Sequence, residues 1–186
     1  MTASHDFVIR RLPTSDVARA DLLAVRNLLV SAFGPGLEER FTRTDWDHSL
    51  GGTHFVGDLD GAIVAHASVV ERVIEVDGRP LRTGYVEAVA VAPDRQGRGL
   101  GTVLMREVTG WIEPRYELGV LGTGRHAFYE RLGWVTWRGH AFVRTPDGAR
   151  RTPDEEGFIL VLRTPSTPPL DLDGSISCDW RPGDVW

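Results

Sequence analysis

The apolar residues of this chain recur in two alternating rhythms. Residues 7–12 alternate weakly and predict a first strand, after which Thr14 or Ser15 stands where a helix cap is expected. Leu22, Val25, Leu29 and Phe33 then recur every three to four residues, which predicts a helix with one face on the core, ended by Gly34-Pro35-Gly36. Thr44 can cap a short helix that carries Asp45, Trp46 and Asp47. From His54 the rhythm becomes strand, turn, strand, turn, with Asp60-Gly61 and Asp77-Gly78 as hairpin signals, so the sheet is antiparallel where it begins.

A central apolar strand follows over residues 85–92, YVEAVAVA, and Pro93 stops it. Strict alternation puts Tyr85, Glu87, Val89 and Val91 on one face and Val86, Ala88, Ala90 and Ala92 on the other. Leu100, Val103, Leu104, Val108 and Trp111 predict a helix, residues 116–122 a fifth strand, and Gly122-Thr123-Gly124 the opening of another helix through HAFYERLGW. Beyond lie a turn at Pro146-Asp147-Gly148, an acidic loop over residues 153–157, an apolar strand over residues 158–162 and an irregular Pro-rich stretch, TPSTPPLDLDG. The tail, ISCDWRPGDVW, carries two tryptophans and two aspartates, a composition suited to docking.

Composition narrows the function. With 186 residues, 41% of them apolar, a single domain over residues 1–186 is expected, and no linker divides it. The N-terminus lacks the long apolar segment of a signal peptide and no run approaches a membrane span, so a soluble, cytoplasmic protein without a membrane partner is expected. The single cysteine, Cys178, and six histidines without ligand spacing predict no metal. A net charge of −5 argues against nucleic acid as a partner and mildly favours a cationic small molecule.

The candidate chemistry centres on Gln96-Gly97-Arg98-Gly99-Leu100-Gly101, which joins the central strand to its helix. Glycines there let a ligand approach the main chain, and the free N–H groups at the helix start suit a phosphate. The turn lacks the Lys-Ser/Thr ending of a P-loop and is not G-x-G-x-x-G. Glu87 is a carboxylate among valines, which is costly unless it works as a base or pairs with an arginine such as Arg72 or Arg82. His66, between alanines, reads as a satisfied sheet histidine. Asp45 beside Trp46 either lines a site for cationic groups or favours its own helix N-terminus.

Q/R-x-x-G-x-G/A after such a strand resembles the acetyl-CoA pyrophosphate loop of the GCN5-related N-acetyltransferases (GNAT), and HAFYERLGW resembles their FY-x-x-x-GF segment. TDWDHSLGG, GYVEAVAV, RTPDEEG and CDWRPGDVW, taken in order, resemble the aminoglycoside 2′-N-acetyltransferases across nearly the whole chain. The resemblance implies an α/β acyltransferase fold, with a mixed, mostly antiparallel sheet of about six or seven strands flanked by helices. It implies acetyl transfer from acetyl-CoA to the 2′-amine of an aminoglycoside, and homodimers. Carried over, Glu87 is the water-linked general base and Tyr129 the general acid. Asp45, Glu87, Glu155, Asp184 and Trp186, the last through its carboxylate, face the substrate.

On the same basis Gln96, Gly97, Arg98, Gly99, Leu100, Gly101 and Thr102 hold the cofactor, while main-chain N–H groups near Val89 or Val91 orient the thioester carbonyl. Arg40 stands where an acid is expected, with Glu39 beside it, and Glu155 where Asp is expected. The competing readings are an acetyltransferase for another amine, such as a cell-wall sugar or polyamine, and a non-catalytic acetyl-CoA-binding module, against which an intact Glu87 and Tyr129 argue.

Overall fold

The computed structural model describes residues 6–34 and 41–186. Pro35 and Gly36, expected to end the first helix, and Glu39 and Arg40 lie outside them. The described chain gathers into two units. The first holds the described residues up to Val70 together with Glu87–Val108, and the second holds Glu71–Val86 and Thr109–Trp186.

In the first unit, β1 (Val8–Pro13) runs antiparallel to β2 (Thr53–Leu59), as the alternation predicts. The expected cap behaves differently. Residues Thr14–Asp16 form a 3-10 turn, and α1 (Arg19–Phe33) starts after Ala18 with no side-chain cap. Val25, Leu28 and Leu29 of α1 are buried with Val56, while Phe33, at 37% exposed, stacks on Phe41 instead of entering the core. α2 (Arg43–His48) is capped by Thr42, not Thr44: Asp45 N–H donates to the Thr42 hydroxyl and Thr42 N–H donates to the Asp45 carboxylate, a reciprocal capping box. β3 (Ala62–Val76) pairs with β2 across the Asp60-Gly61 turn. Both turn residues have positive φ, 54° and 78°, as the tight primed turn requires.

A bulge between Gly57 and Asp58 shifts the β2–β3 register by one residue. β4 (Arg79–Val91) follows the second Asp-Gly turn, where Asp77 and Gly78 have φ of 48° and 77°. The predicted alternation of β4 is interrupted at Ala88, whose φ is 52°. Beyond that point Ala88, Ala90 and Ala92 face the core made by α1. α3 (Leu100–Ile112) buries Leu104, Met105, Val108 and Ile112. Its inward face is therefore turned from the predicted stripe: Val103 is 45% exposed and Trp111 lies under the Arg115 guanidinium.

In the second unit β5 (Leu118–Gly122) pairs parallel with β4 over Thr83–Tyr85. α4 (His126–Glu130) and β6 (Val135–Thr136) follow, then β7 (Ala141–Thr145) and β8 (Gly148–Arg151), joined at the expected turn. β9 (Ile159–Arg163) and β10 (Ile176–Asp179) complete a strand order β6-β9-β5-β4-β3-β10-β7-β8. The Pro-rich stretch is irregular, as expected. Among the described residues ten strands replace the expected six or seven because β6, β8 and β10 have only two to four residues, too short for a periodic pattern to register. Among the described residues no helix is long and apolar enough to cross a membrane.

Two glycines separate close approach from mere flexibility. A Cβ at Gly139 would overlap the Gly174 carbonyl, whereas one at Gly110, in α3, meets nothing within 4 Å. Gly139→Ala should cost about 2 kcal/mol or more. Gly110→Ala should gain about 0.5–1 kcal/mol from reduced chain entropy. Opposite shifts in thermal midpoint check both; a Gly139→Ala protein as stable as the parent would refute the close approach.

Candidate functional site

The first unit carries the end of β4, the glycine turn and the start of α3. Gly97 and Gly99 have φ of 74° and 81°, and open space lies where a Cβ would stand on either. Such backbone favours glycine, and the absence of side chains leaves the main chain approachable. α3 begins on the Gly99 carbonyl, which accepts from Thr102 N–H (3.0 Å) and Val103 N–H (3.1 Å), so the first-turn N–H groups lie at the exposed turn. Gln96 stiffens this bend, its amide donating to the Val91 carbonyl at 3.1 Å. Arg95 pairs with Asp94, and Arg98 is exposed. A cradle of main-chain donors at a helix N-terminus suits the pyrophosphate of a CoA ester.

Glu87 is half-buried in β4, directly before the positive-φ residue Ala88. Of the arginines considered as its partners, Arg72 donates to the carbonyls of Asp179 and Val185, and Arg82 pairs with Glu71 at 3.2 Å. Asp45 belongs to the same unit, and its Oδ2 accepts from Thr42 N–H at 2.7 Å and from the Thr42 hydroxyl at 2.8 Å.

His66 is buried and satisfied, as its sequence setting suggests. Its Nδ1 lies 2.8 Å from the Ala88 carbonyl and its Nε2 lies 2.9 Å from His54 Nδ1. His54 Nε2 in turn lies 2.9 Å from the Thr14 hydroxyl. A carbonyl only accepts, so His66 donates through Nδ1 and accepts through Nε2. The tautomers then run one way, from His54 to His66 to Ala88, while the single Thr14 hydroxyl proton has two acceptors within reach, His54 Nε2 and the Gly52 carbonyl at 3.1 Å. Burial holds both rings neutral, lowering His54 to about 4 and His66 to about 3.

The second unit carries Tyr129, Glu155, Asp184 and Trp186. Tyr129, on α4, is buried with its ring edge-on to Phe128 and Trp134. Burial pushes its phenol up to about 12, so it holds its proton at neutral pH. Glu155 closes the 3-10 turn Pro153–Glu155. Its carboxyl is raised first by burial and then by the charges of Asp184 and Asp154, so Asp184 lies within electrostatic reach of it.

The tail is docked. The Trp186 indole is buried and donates to Thr152 Oγ1 at 3.0 Å, just before the acidic turn, and Trp186 N–H donates to Asp184 Oδ1 at 3.1 Å. Arg72 donates to the carbonyls of Asp179 and Val185, both at 2.9 Å, and Arg181 donates to the Asp184 carbonyl at 2.8 Å. The two guanidiniums lie 4.6 Å and 5.5 Å from the centre of the Tyr85 ring.

Residues 22–134 match the Acetyltransferase (GNAT) family. The chain belongs to that family. The GNAT family uses acetyl-CoA. An aminoglycoside 2′-N-acetyltransferase from Mycolicibacterium fortuitum is 41% identical over 181 residues, covering 95% of this chain and 91% of that protein. Among solved structures, a GNAT family acetyltransferase from Brucella melitensis in complex with acetyl-CoA superposes with a TM-score of 0.62 at 18% identity, over 92% of this chain and 95% of that one. A GCN5-related N-acetyltransferase from Kribbella flavida superposes with a TM-score of 0.56 at 23% identity; 72% of this chain matches, spanning 34% of that one. Such structural likeness supports the acyltransferase fold read from the sequence.

Sequence reasoning missed Arg72 and Arg181 as tail anchors, Thr152 as the indole acceptor, and His54. Only the composition of the tail signalled docking. Among the described residues no group of three or more His, Cys, Asp or Glu is placed to hold a metal.

The histidine pair makes stability depend on pH. Their folded values, about 4 and about 3, lie below the ordinary 6.5, so the unfolded chain takes up protons that the folded one refuses. This stability is complete above pH 6.5 and is lost as pH falls toward the folded values. The urea midpoint should fall between about pH 6.5 and 5, above the usual carboxylate range. His66→Asn should flatten that slope, and an unchanged slope would show that the rings titrate normally.

Proposed function

We propose that this chain transfers acetyl from acetyl-CoA to the 2′-amine of aminoglycoside antibiotics, with residues 1–186 acting as one acetyltransferase domain and the protein as a homodimer. The observation that carries the reading is the 41% identity over 95% of the chain with the Mycolicibacterium fortuitum enzyme. Physical chemistry supports it. A polycationic acceptor calls for clustered carboxylates, and Asp45, Glu155, Asp184 and Trp186 supply the acceptor contacts in this reading. The turn over residues 96–102 holds the pyrophosphate of acetyl-CoA, and its bound thioester supplies the acetyl group.

The chemistry assigned to this chain's own residues is simple. Glu87 takes the proton of the attacking amine through a water, main-chain N–H groups of Val89 or Val91 orient the thioester carbonyl, and Tyr129 returns a proton to the departing thiolate. The amine gains the carbon–nitrogen bond as the carbon–sulfur bond breaks. No cysteine nucleophile is needed, and burial of Cys178 raises its thiol to about 11, which suits a structural role.

Thiol release from acetyl-CoA against a panel of amines tests the substrate class. Aminoglycosides with a 2′-amine should turn over, and those with a 2′-hydroxyl should be poor acceptors. A product acetylated on another ring, located by NMR, would overturn the regiochemistry; turnover confined to a cell-wall sugar or polyamine would overturn the substrate class.

The acid and base assignments make a separate prediction. Glu87→Gln should lower kcat by about 10²-fold or more near neutral pH while sparing acetyl-CoA affinity. Tyr129→Phe should likewise slow turnover without weakening cofactor binding. An unchanged rate in either variant would remove that residue from the chemistry.

A further inference from the structure

The Thr14-His54-His66 chain ends on a carbonyl, so it is not a path for moving protons to substrate. Its geometry suggests another use. Ser68 and His66 lie two residues apart on one face of β3, and their side chains hold two successive carbonyls of β4. Ser68 Oγ lies 3.4 Å from the Glu87 carbonyl, and His66 Nδ1 lies 2.8 Å from that of Ala88. A regular strand sends successive carbonyls to opposite edges, so this pair exists only with the interruption at Ala88, where φ is 52°. A trans peptide is planar, with its N–H opposite its C=O. Holding the Ala88 carbonyl against His66 therefore turns the Val89 N–H to the side away from the histidine.

We propose that His66, backed by His54 and Thr14, is a positioning residue that fixes the peptide between Ala88 and Val89 and so aims the Val89 N–H at the thioester carbonyl. The inference rests on the acetyl-CoA reading above. His66 is held in turn: His54 Nδ1–H occupies its Nε2, so Nδ1 carries the proton that the Ala88 carbonyl needs. The Thr14 hydroxyl, which also accepts the Gly51 N–H at 2.9 Å, anchors the far end of the chain. Because both rings stay neutral, the arrangement is constant over the pH range in which an amine is acetylated.

The test compares His66→Leu, which removes the donor, with His66→Asn, whose amide nitrogen replaces Nδ1. In the wild type and in His66→Asn, the Val89 amide proton should shift downfield when acetyl-CoA binds but not when CoA binds. In His66→Leu that difference should vanish, acetyl-CoA should lose its affinity advantage over CoA, and kcat should fall by about 10²-fold, the scale for one misplaced oxyanion donor. CoA affinity should be unchanged throughout. An undisturbed Val89 shift in His66→Leu, or equal losses in both variants, would overturn the proposal and leave the histidines a packing role.

Should His66→Leu fail to fold, the same substitution combined with Ala88→Gly eases the backbone, since glycine accepts positive φ without strain. Should that variant fail as well, His66→Asn decides alone: a retained Val89 shift supports the proposal and a lost one refutes it. The shift and affinity readouts require no acceptor. A protein that acetylates no aminoglycoside would refute the substrate reading and leave this one standing.

Discussion

A strand that places a carboxylate beside an outward-turned main-chain N–H must break its own alternation, and the first unit depends on that break. Ala88 sits at φ 52°, a conformation that costs an L-residue roughly 1–2 kcal/mol. His66 and Ser68 hold the carbonyls on either side of it. His54 shares their face of the sheet because β2 carries its own bulge. The Leu59–Ala62 turn alone would pair Phe55 with His66; the shift at Gly57/Asp58 pairs Val56 with His66 and His54 with Ser68 instead. Gly57 fixes that shift, since a Cβ there would lie 2.6 Å from the Phe7 ring and 2.9 Å from the Ala65 Cβ. The β2 bulge thus brings His54 against the ring that holds the Ala88 carbonyl.

The second unit rests on a different constraint. Its tail buries Ile176, Cys178 and Trp186, and between them main-chain carbonyls are gripped by arginines that lie over a buried tyrosine. Cationic guanidiniums make strong bonds to carbonyls, and the Tyr85 ring adds to their stabilisation. The Trp186 indole then ties the tail to Thr152. Tail and acidic turn are one assembly, which explains why Glu155 senses Asp184 although 29 positions separate them.

Long periodic elements and Gly-containing turns were legible in the sequence: β1, both Asp-Gly hairpins, the glycine turn and α3 lie where pattern and turn chemistry put them, while β4 begins at Arg79 instead of residue 85. Short elements were not, because two to four residues of β6, β8 or β10 carry no period of their own. Caps misled where tertiary contacts claimed them. Thr14 answers His54 and Gly51 instead of a helix N–H, and Thr42 outcompetes Thr44 because Asp45 completes its box. The His54–His66 contact was invisible for a definite reason: strict alternation puts the two rings on opposite faces, and only a bulge that periodicity cannot foretell brings them together.

Net charge conveys little about recognition here, because fields from exposed charges fade over a Debye length of about 8–10 Å. The local balance matters more. At Glu155, burial and neighbouring acids raise the carboxyl, the signature of a patch that gains from an arriving cation. The same attraction carries a chemical penalty: carboxylates that bind ammonium groups raise their pKa and hold on to the proton that acetylation requires them to lose. A cluster that binds the polycation is thus poorly suited to activate it. Binding and deprotonation call for separate carboxylates, which is why, in the proposed function, the base role falls to Glu87 and the acceptor contacts to Asp45, Glu155, Asp184 and Trp186.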